Sequence, residues 1–164
     1  MTNSTVFVYT MTQTGKVGAW SRYQFPISVD AFAQLGNDLY IRNGDVVSIV
    51  NEDAVADDVD GSPVEFGGTV QWPWLDFGQP GVTKMLEGFD IVSTGAPSVS
   101  IGYDERNLSA FTDPYAVDAD TLVGGIIPLP VMGPTFSIKV DFAPGEKWQL
   151  QSVNLSLFDM SNGP

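Results

Sequence analysis

The chain has 164 residues with 20 acidic and 7 basic side chains, a net charge of −13, no Cys and no His. Disulfides, thiolate metal sites and imidazole bases are thereby excluded, and the scarcity of Lys and Arg argues against wrapping nucleic acid, since that affinity comes from cations displacing counterions at phosphate. The length suits one domain and at most a small second unit, while 17 Gly and 11 Pro forecast frequent turns and little helix.

Val6-Phe7-Val8-Tyr9 reads as a short strand. After a turn at Gly15, the segment Val17 to Phe25 places Val17, Ala19, Tyr23 and Phe25 on one side and Trp20 and Arg22 on the other, the pattern of a second strand ended by Pro26. The stretch Ser28 to Leu35 fits either a strand or one helical turn. Leu39 to Arg42, then Asn43-Gly44, then Asp45 to Val50 is a hairpin signal, with Asn-Gly supplying two positive-φ positions for a type I′ turn. Four candidate strands in residues 1–52 match the size and rhythm of one β-propeller blade, and no second copy of the pattern follows.

Residues 53–68 follow as an acidic linker, continuing from Glu52 through Asp53, Asp57, Asp58, Asp60 and Glu65 without a Lys or Arg. Asp58-Val59-Asp60-Gly61 partly matches a calcium loop, but Ala56 stands two before Asp58 and the late Glu is missing, so a solvated turn is the better reading. Residues 69–164 change to cleaner alternation. Val99, Ile101 and Tyr103 alternate with Ser98, Ser100 and Gly102, and Phe136, Ile138, Val140 and Phe142 alternate with Ser137, Lys139 and Asp141. With Val70 to Trp72 and Phe89 to Val92 they predict an antiparallel sandwich of at least five strands. Trp148 and Leu150 share one parity and Val153, Leu155 and Leu157 the other, which predicts a β-bulge around Gln151-Ser152. Ser109 to Gly133, rich in Gly, Pro and Asp, reads as a protruding loop. The fold expected is therefore all-β: an antiparallel sandwich preceded by a blade-like antiparallel sheet, with little helix.

Chemistry is sparse in this pattern. Asp57, Asp58 and Asp60, or Asp118 and Asp120, supply carboxylates for a glycosidase, but they stand beside turn residues, where Asp caps its own backbone. Trp72, Trp74 and Phe77 fit a sugar-stacking platform or, preferably, aromatic anchors that hold layers and subunits together. Lys84, Arg106, Lys139 and Lys147 form no stripe and are expected to pair with the surplus carboxylates. No stretch approaches the roughly 20 apolar residues of a membrane span, and Met1 to Thr5 carries no basic region before an apolar run. A soluble chain without a secretory signal is expected, so the sequons at Asn3, Asn107 and Asn154 are set aside.

The strings Gly18-Ala19-Trp20-Ser21-Arg22-Tyr23-Gln24-Phe25-Pro26 and Leu39-Tyr40-Ile41-Arg42-Asn43-Gly44-Asp45 resemble the last propeller-like repeat of tail tube and nozzle proteins of short-tailed bacteriophages. The string Trp72-Pro73-Trp74-Leu75-Asp76-Phe77-Gly78-Gln79-Pro80-Gly81-Val82-Thr83-Lys84 is similar to the segment that leads from that repeat into a β-sandwich. The resemblance implies a structural, non-enzymatic virion protein, made in the host cytoplasm and built into the tail. It implies a homo-oligomeric ring, typically six-fold, that adjoins other tail proteins such as an adaptor, fibre or needle, and lets DNA pass without specific binding, cofactor or membrane. Family members are usually longer, with further repeats ahead of this one, so the chain is read either as a fragment or as a small separate subunit. The assembly contacts expected are Trp20, Tyr23, Trp72, Trp74, Phe77, Tyr115 and the Ser109 to Gly133 segment. The alternative is a carbohydrate-binding β-sandwich for host attachment.

Overall fold

Fourteen β-strands are formed by the residues that the computed structural model describes, 3–11, 18–51, 53–118 and 125–159, and none of those residues is helical. The chain divides into two compact units, Met1–Glu65 and Phe66–Pro164. The Gly15 turn, Val17, Glu52 and Asp120 lie outside the described residues.

In the first unit, β1 (Ser4–Met11) and β2 (Gly18–Phe25) form an antiparallel ribbon in which Val6 faces Tyr23 and Tyr9 faces Trp20. β3 (Ala31–Leu35), β4 (Asp38–Asn43) and β5 (Val46–Val50) form a separate sheet in that order. The ambiguous Ser28 to Leu35 stretch thus ends in a strand. A single four-stranded blade is not formed, because Pro26 ends β2 and the backbone after it turns to Ser4 instead of extending the ladder. Ser4 N–H donates to Ile27 O at 3.2 Å, and its hydroxyl accepts from Val29 N–H at 2.8 Å.

The Asn43-Gly44 signal does make a hairpin, with the turn one residue later than expected. Asn43 pairs with Val46, so Gly44 and Asp45 are the two turn residues, and Gly44 takes φ +59° while Asp45 is not in the positive-φ region. A second hairpin lies in the stretch expected as a linker. β6 (Ala56–Val59) and β7 (Ser62–Glu65) are joined by Asp60-Gly61, both at positive φ, the pairing that a type I′ turn requires. Acidic side chains hid this hairpin: its strands carry Asp57, Asp58 and Glu65, and only Val59 and Val64 are β-branched.

The second unit is a two-layer β-sandwich. One sheet has the order β11 (Tyr115–Ala116), β10 (Ser98–Gly102), β13 (Ser137–Phe142), β8 (Gly68–Gln71). The other has the order β12 (Ile127–Gly133), β9 (Lys84–Thr94), β14 (Gln149–Asp159). Alternation drives Val99, Ile101, Ile138 and Val140 from the first sheet against Leu86, Phe89 and Ile91 from the second, and all seven are buried. Burying an aliphatic or aromatic side chain of this size is worth about 1.5–3 kcal/mol, so this cluster is the main source of the unit's stability. The expected bulge is present: Leu150 pairs with Ser93 and Ser152 with Val92, leaving Gln151 as the extra residue. Trp148, Leu150, Val153, Leu155 and Leu157 accordingly all pack on the core.

Ser109 to Gly133 is not one loop. β11 pairs with β10, Val117 is buried in the core, and β12 is a strand of the second sheet. Pro114, Pro128 and Pro130 disguised these strands. β12 tolerates two prolines because it is an edge strand, and its register with β9 shifts between Pro128 and Val131.

Candidate assembly surface

The first unit buries one apolar side chain in its described residues, Ile41. Along the β1–β2 ribbon the two-residue period puts Phe7, Tyr9, Met11 and Trp20 on one face with Arg22, and the four apolar or aromatic members are exposed, Trp20 by 71%. Tyr9 and Trp20 stand opposite each other with ring centroids 4.9 Å apart, a cross-strand aromatic pair that stiffens this face. Tyr23 lies on the other face, exposed, with its ring stacked toward Phe25 at 6.4 Å. In the β3–β4–β5 sheet, Leu35, Val47 and Ile49 project from one face and Phe32, Leu39, Val46 and Val50 from the other, all of them exposed.

Fourteen of the 22 exposed large apolar side chains among the described residues fall in this unit, although it is the smaller of the two. Scattered exposed apolar groups are ordinary, whereas contiguous ones on paired strands with open edges are the kind of surface at which proteins, membranes or ligands bind.

The four remaining sequence-predicted contacts lie in the second unit, and the structure gives each a different place. Trp72 packs on the core, its N–H donating to Ile138 O at 2.9 Å and its carbonyl accepting from the Ser137 hydroxyl at 2.8 Å. Trp74 is half-buried against Phe111, ring centroids 6.2 Å apart, over Gly102, where an added Cβ would meet the indole at 2.8 Å. Tyr115 sets its ring edge-on to Phe89 at 6.1 Å and is 41% exposed. Phe77 is equally exposed and 6.5 Å from Phe136, with its backbone at φ +55°. Trp72 and Trp74 are thus both partly buried and in contact with the sandwich.

Lys84 corrects the expectation that the cations of this half pair with carboxylates. It is 2% exposed, and its ammonium donates to the carbonyls of Gln79 and Val82 at 2.9 Å each and of Pro134 at 3.0 Å. Three donors meet three main-chain acceptors, which is how an ammonium is accommodated away from water. The cage ties the loop after Phe77 to Pro134 in the turn between β12 and β13. No spacing in the sequence marks Lys84 for this role, because the acceptors are backbone carbonyls. Lys139 does follow the expectation and pairs with Asp141 at 2.8 Å. Sequence reasoning also missed Phe7, Tyr9 and Met11, which the parity of β1 identifies once its partner strand is known.

Several acidic groups among the described residues cap their own turns. Asp58 accepts from Gly61 N–H at 2.8 Å, Asp76 from Gly78 N–H at 2.9 Å and Asp104 from Arg106 N–H at 3.0 Å, each holding its own turn. Among the described residues no group of three or more Asp or Glu is placed to hold a metal ion. Partial burial pushes the Asp57 carboxyl above the usual carboxylate range. An open groove of about 520 Å³ in the second unit, lined by Tyr103, Phe111, Pro130 and Met132 among others, has Asp113 as its one carboxylate. No protein-family model, curated protein or solved structure matches the chain.

Proposed function

We propose that this chain is a structural protein of a bacteriophage tail, a nozzle or tube component that lines or supports the conduit for DNA ejection and joins tail parts by assembling with copies of itself and with its neighbours. The observation that carries the reading is the contrast between the two units. The sandwich has a core of its own, whereas the strands of the first unit present apolar side chains on both faces. Sheets of that kind gain stability when a neighbour covers them, as in symmetric assemblies. The excess of carboxylates fits a conduit as well, because an acidic wall repels phosphate along its length and leaves the polymer free to slide. Each carboxylate named above with a hydrogen-bond partner is engaged in turn or surface geometry, which supports assembly over hydrolysis.

Localisation tests the reading. Antibody or cross-linking mass spectrometry on purified phage particles is expected to place the chain in the tail, next to further copies or other tail proteins. Its absence from particles, together with a soluble, freely diffusing chain in infected cells, contradicts it.

A further inference from the structure

The Asn43-Gly44 hairpin holds a chemically labile pair in a hydrogen bond to a carboxylate. In an Asn-Gly dipeptide the glycine amide nitrogen can attack the asparagine side chain, because no Cβ obstructs the approach. The nitrogen gives its proton to a solvent base and bonds to Asn43 Cγ. The Cγ–Nδ2 bond then breaks, ammonia leaves, and a cyclic imide remains. Water adds to the imide and opens it to an aspartyl or isoaspartyl residue, with no redox change.

That nitrogen is engaged here. Gly44 N–H donates to Asp30 Oδ2 at 2.7 Å, a charge-assisted distance. Asp30 is brought there by the sheet itself: its own N–H donates to Arg42 O at 2.9 Å, and Ala31 pairs with Arg42 in the β3–β4 ladder. Asn43 is the last residue of β4, pairs with Val46, and is half-buried, whereas Gly44 is exposed to water. An anion accepting the N–H opposes its deprotonation, and the ladder on either side of the turn keeps the nitrogen from rotating toward Cγ. The unit's other described Asx-Gly pair, Asp60-Gly61, shows the same arrangement, with Gly61 N–H donated to Asp58 Oδ1.

We infer that Asn43 is a latent self-modification site, a deamidation site that the Asp30 carboxylate holds shut while the β3–β4–β5 sheet is folded. Opening of that sheet releases the nitrogen and exposes the chain to a slow, irreversible gain of one negative charge in the turn. The inference is independent of the proposed role in a tail.

The test incubates the full chain at mildly alkaline pH and follows Asn43 by peptide mapping for conversion to aspartate and isoaspartate. Folded wild type is expected to convert at least about tenfold more slowly than the urea-unfolded chain, and Asp30→Ala, with its sheet intact by circular dichroism, about tenfold faster than folded wild type. In urea the two proteins should convert alike. A folded Asp30→Ala protein that converts at the wild-type rate overturns the inference, as does wild type that converts equally fast folded and unfolded. Should Asp30→Ala fail to fold, amide hydrogen exchange on wild type decides: Gly44 N–H protected relative to its intrinsic rate supports the lock, and exchange at that intrinsic rate refutes it.

Discussion

Lys84 illustrates how one side chain can organise a segment without touching an opposite charge. Its ammonium replaces water for three carbonyls at once, and those carbonyls come from two stretches that are distant in sequence. Lys84→Met keeps most of the stem's volume and takes the ammonium from the Val82 and Pro134 carbonyls, while Gln79 O keeps a bond from Val82 N–H; at about 1–3 kcal/mol per stranded polar group, a loss of roughly 3 kcal/mol in urea unfolding of the second unit is expected. A loss below about 0.5 kcal/mol, the range of an ordinary surface change, contradicts the cage. Asp57 acts in the opposite sense. Burial raises its carboxyl in the folded hairpin, so the folded state binds more protons than the unfolded chain in the window between the usual carboxylate value and the raised one. Stability of β6–β7 is therefore expected to fall as pH rises through that window. Asp57→Asn should flatten this slope and stabilise the hairpin at neutral pH, as followed by amide exchange across the turn. An unchanged slope contradicts the assignment.

At the scale of elements, β14 carries the most specific packing device in the sandwich. Gln151 is unpaired, and its presence lets Trp148 and Leu150 point inward along with Val153, Leu155 and Leu157. Deleting Gln151 turns one of these two groups outward, since a slip of one residue exchanges the faces of a strand. The deletion is expected to abolish cooperative unfolding of the sandwich, while Gln151→Ala, which keeps the backbone count, should stay within about 0.5 kcal/mol of wild type. Retained cooperativity in the deletion contradicts the register. This bulge was legible in sequence because five large apolar residues change parity within ten positions, and β10 and β13 were legible because serine and charge alternate with branched apolar groups. β6–β7 and β11–β12 were not legible: carboxylates in the former and prolines in the latter suppress the strand signal, and pairing partners elsewhere in the chain decide their structure. The exposed aromatic faces of the β1–β2 ribbon were half legible. Trp20 and Tyr23 stand out by composition, but only the ribbon register shows that they face opposite ways and that Tyr9 is the partner of Trp20.

For the whole molecule, the two units differ in how they achieve stability. The sandwich carries the buried cluster around Phe89 and Val140, and Phe89→Ala is expected to cost it about 3–5 kcal/mol. The first unit has no comparable cluster among its described residues, and on the proposed reading its apolar faces are where a companion binds. Trp20→Glu places a charge on the exposed aromatic face and should leave the sandwich's unfolding unchanged while weakening association. The most direct measurement is the native mass of the purified full chain across a dilution series, alongside Trp20→Glu. The account expects a defined oligomer that dissociates on dilution and is shifted toward monomer by the substitution. A wild-type chain that remains a monomer at every concentration, with the β1–β2 ribbon protected from amide exchange, contradicts it.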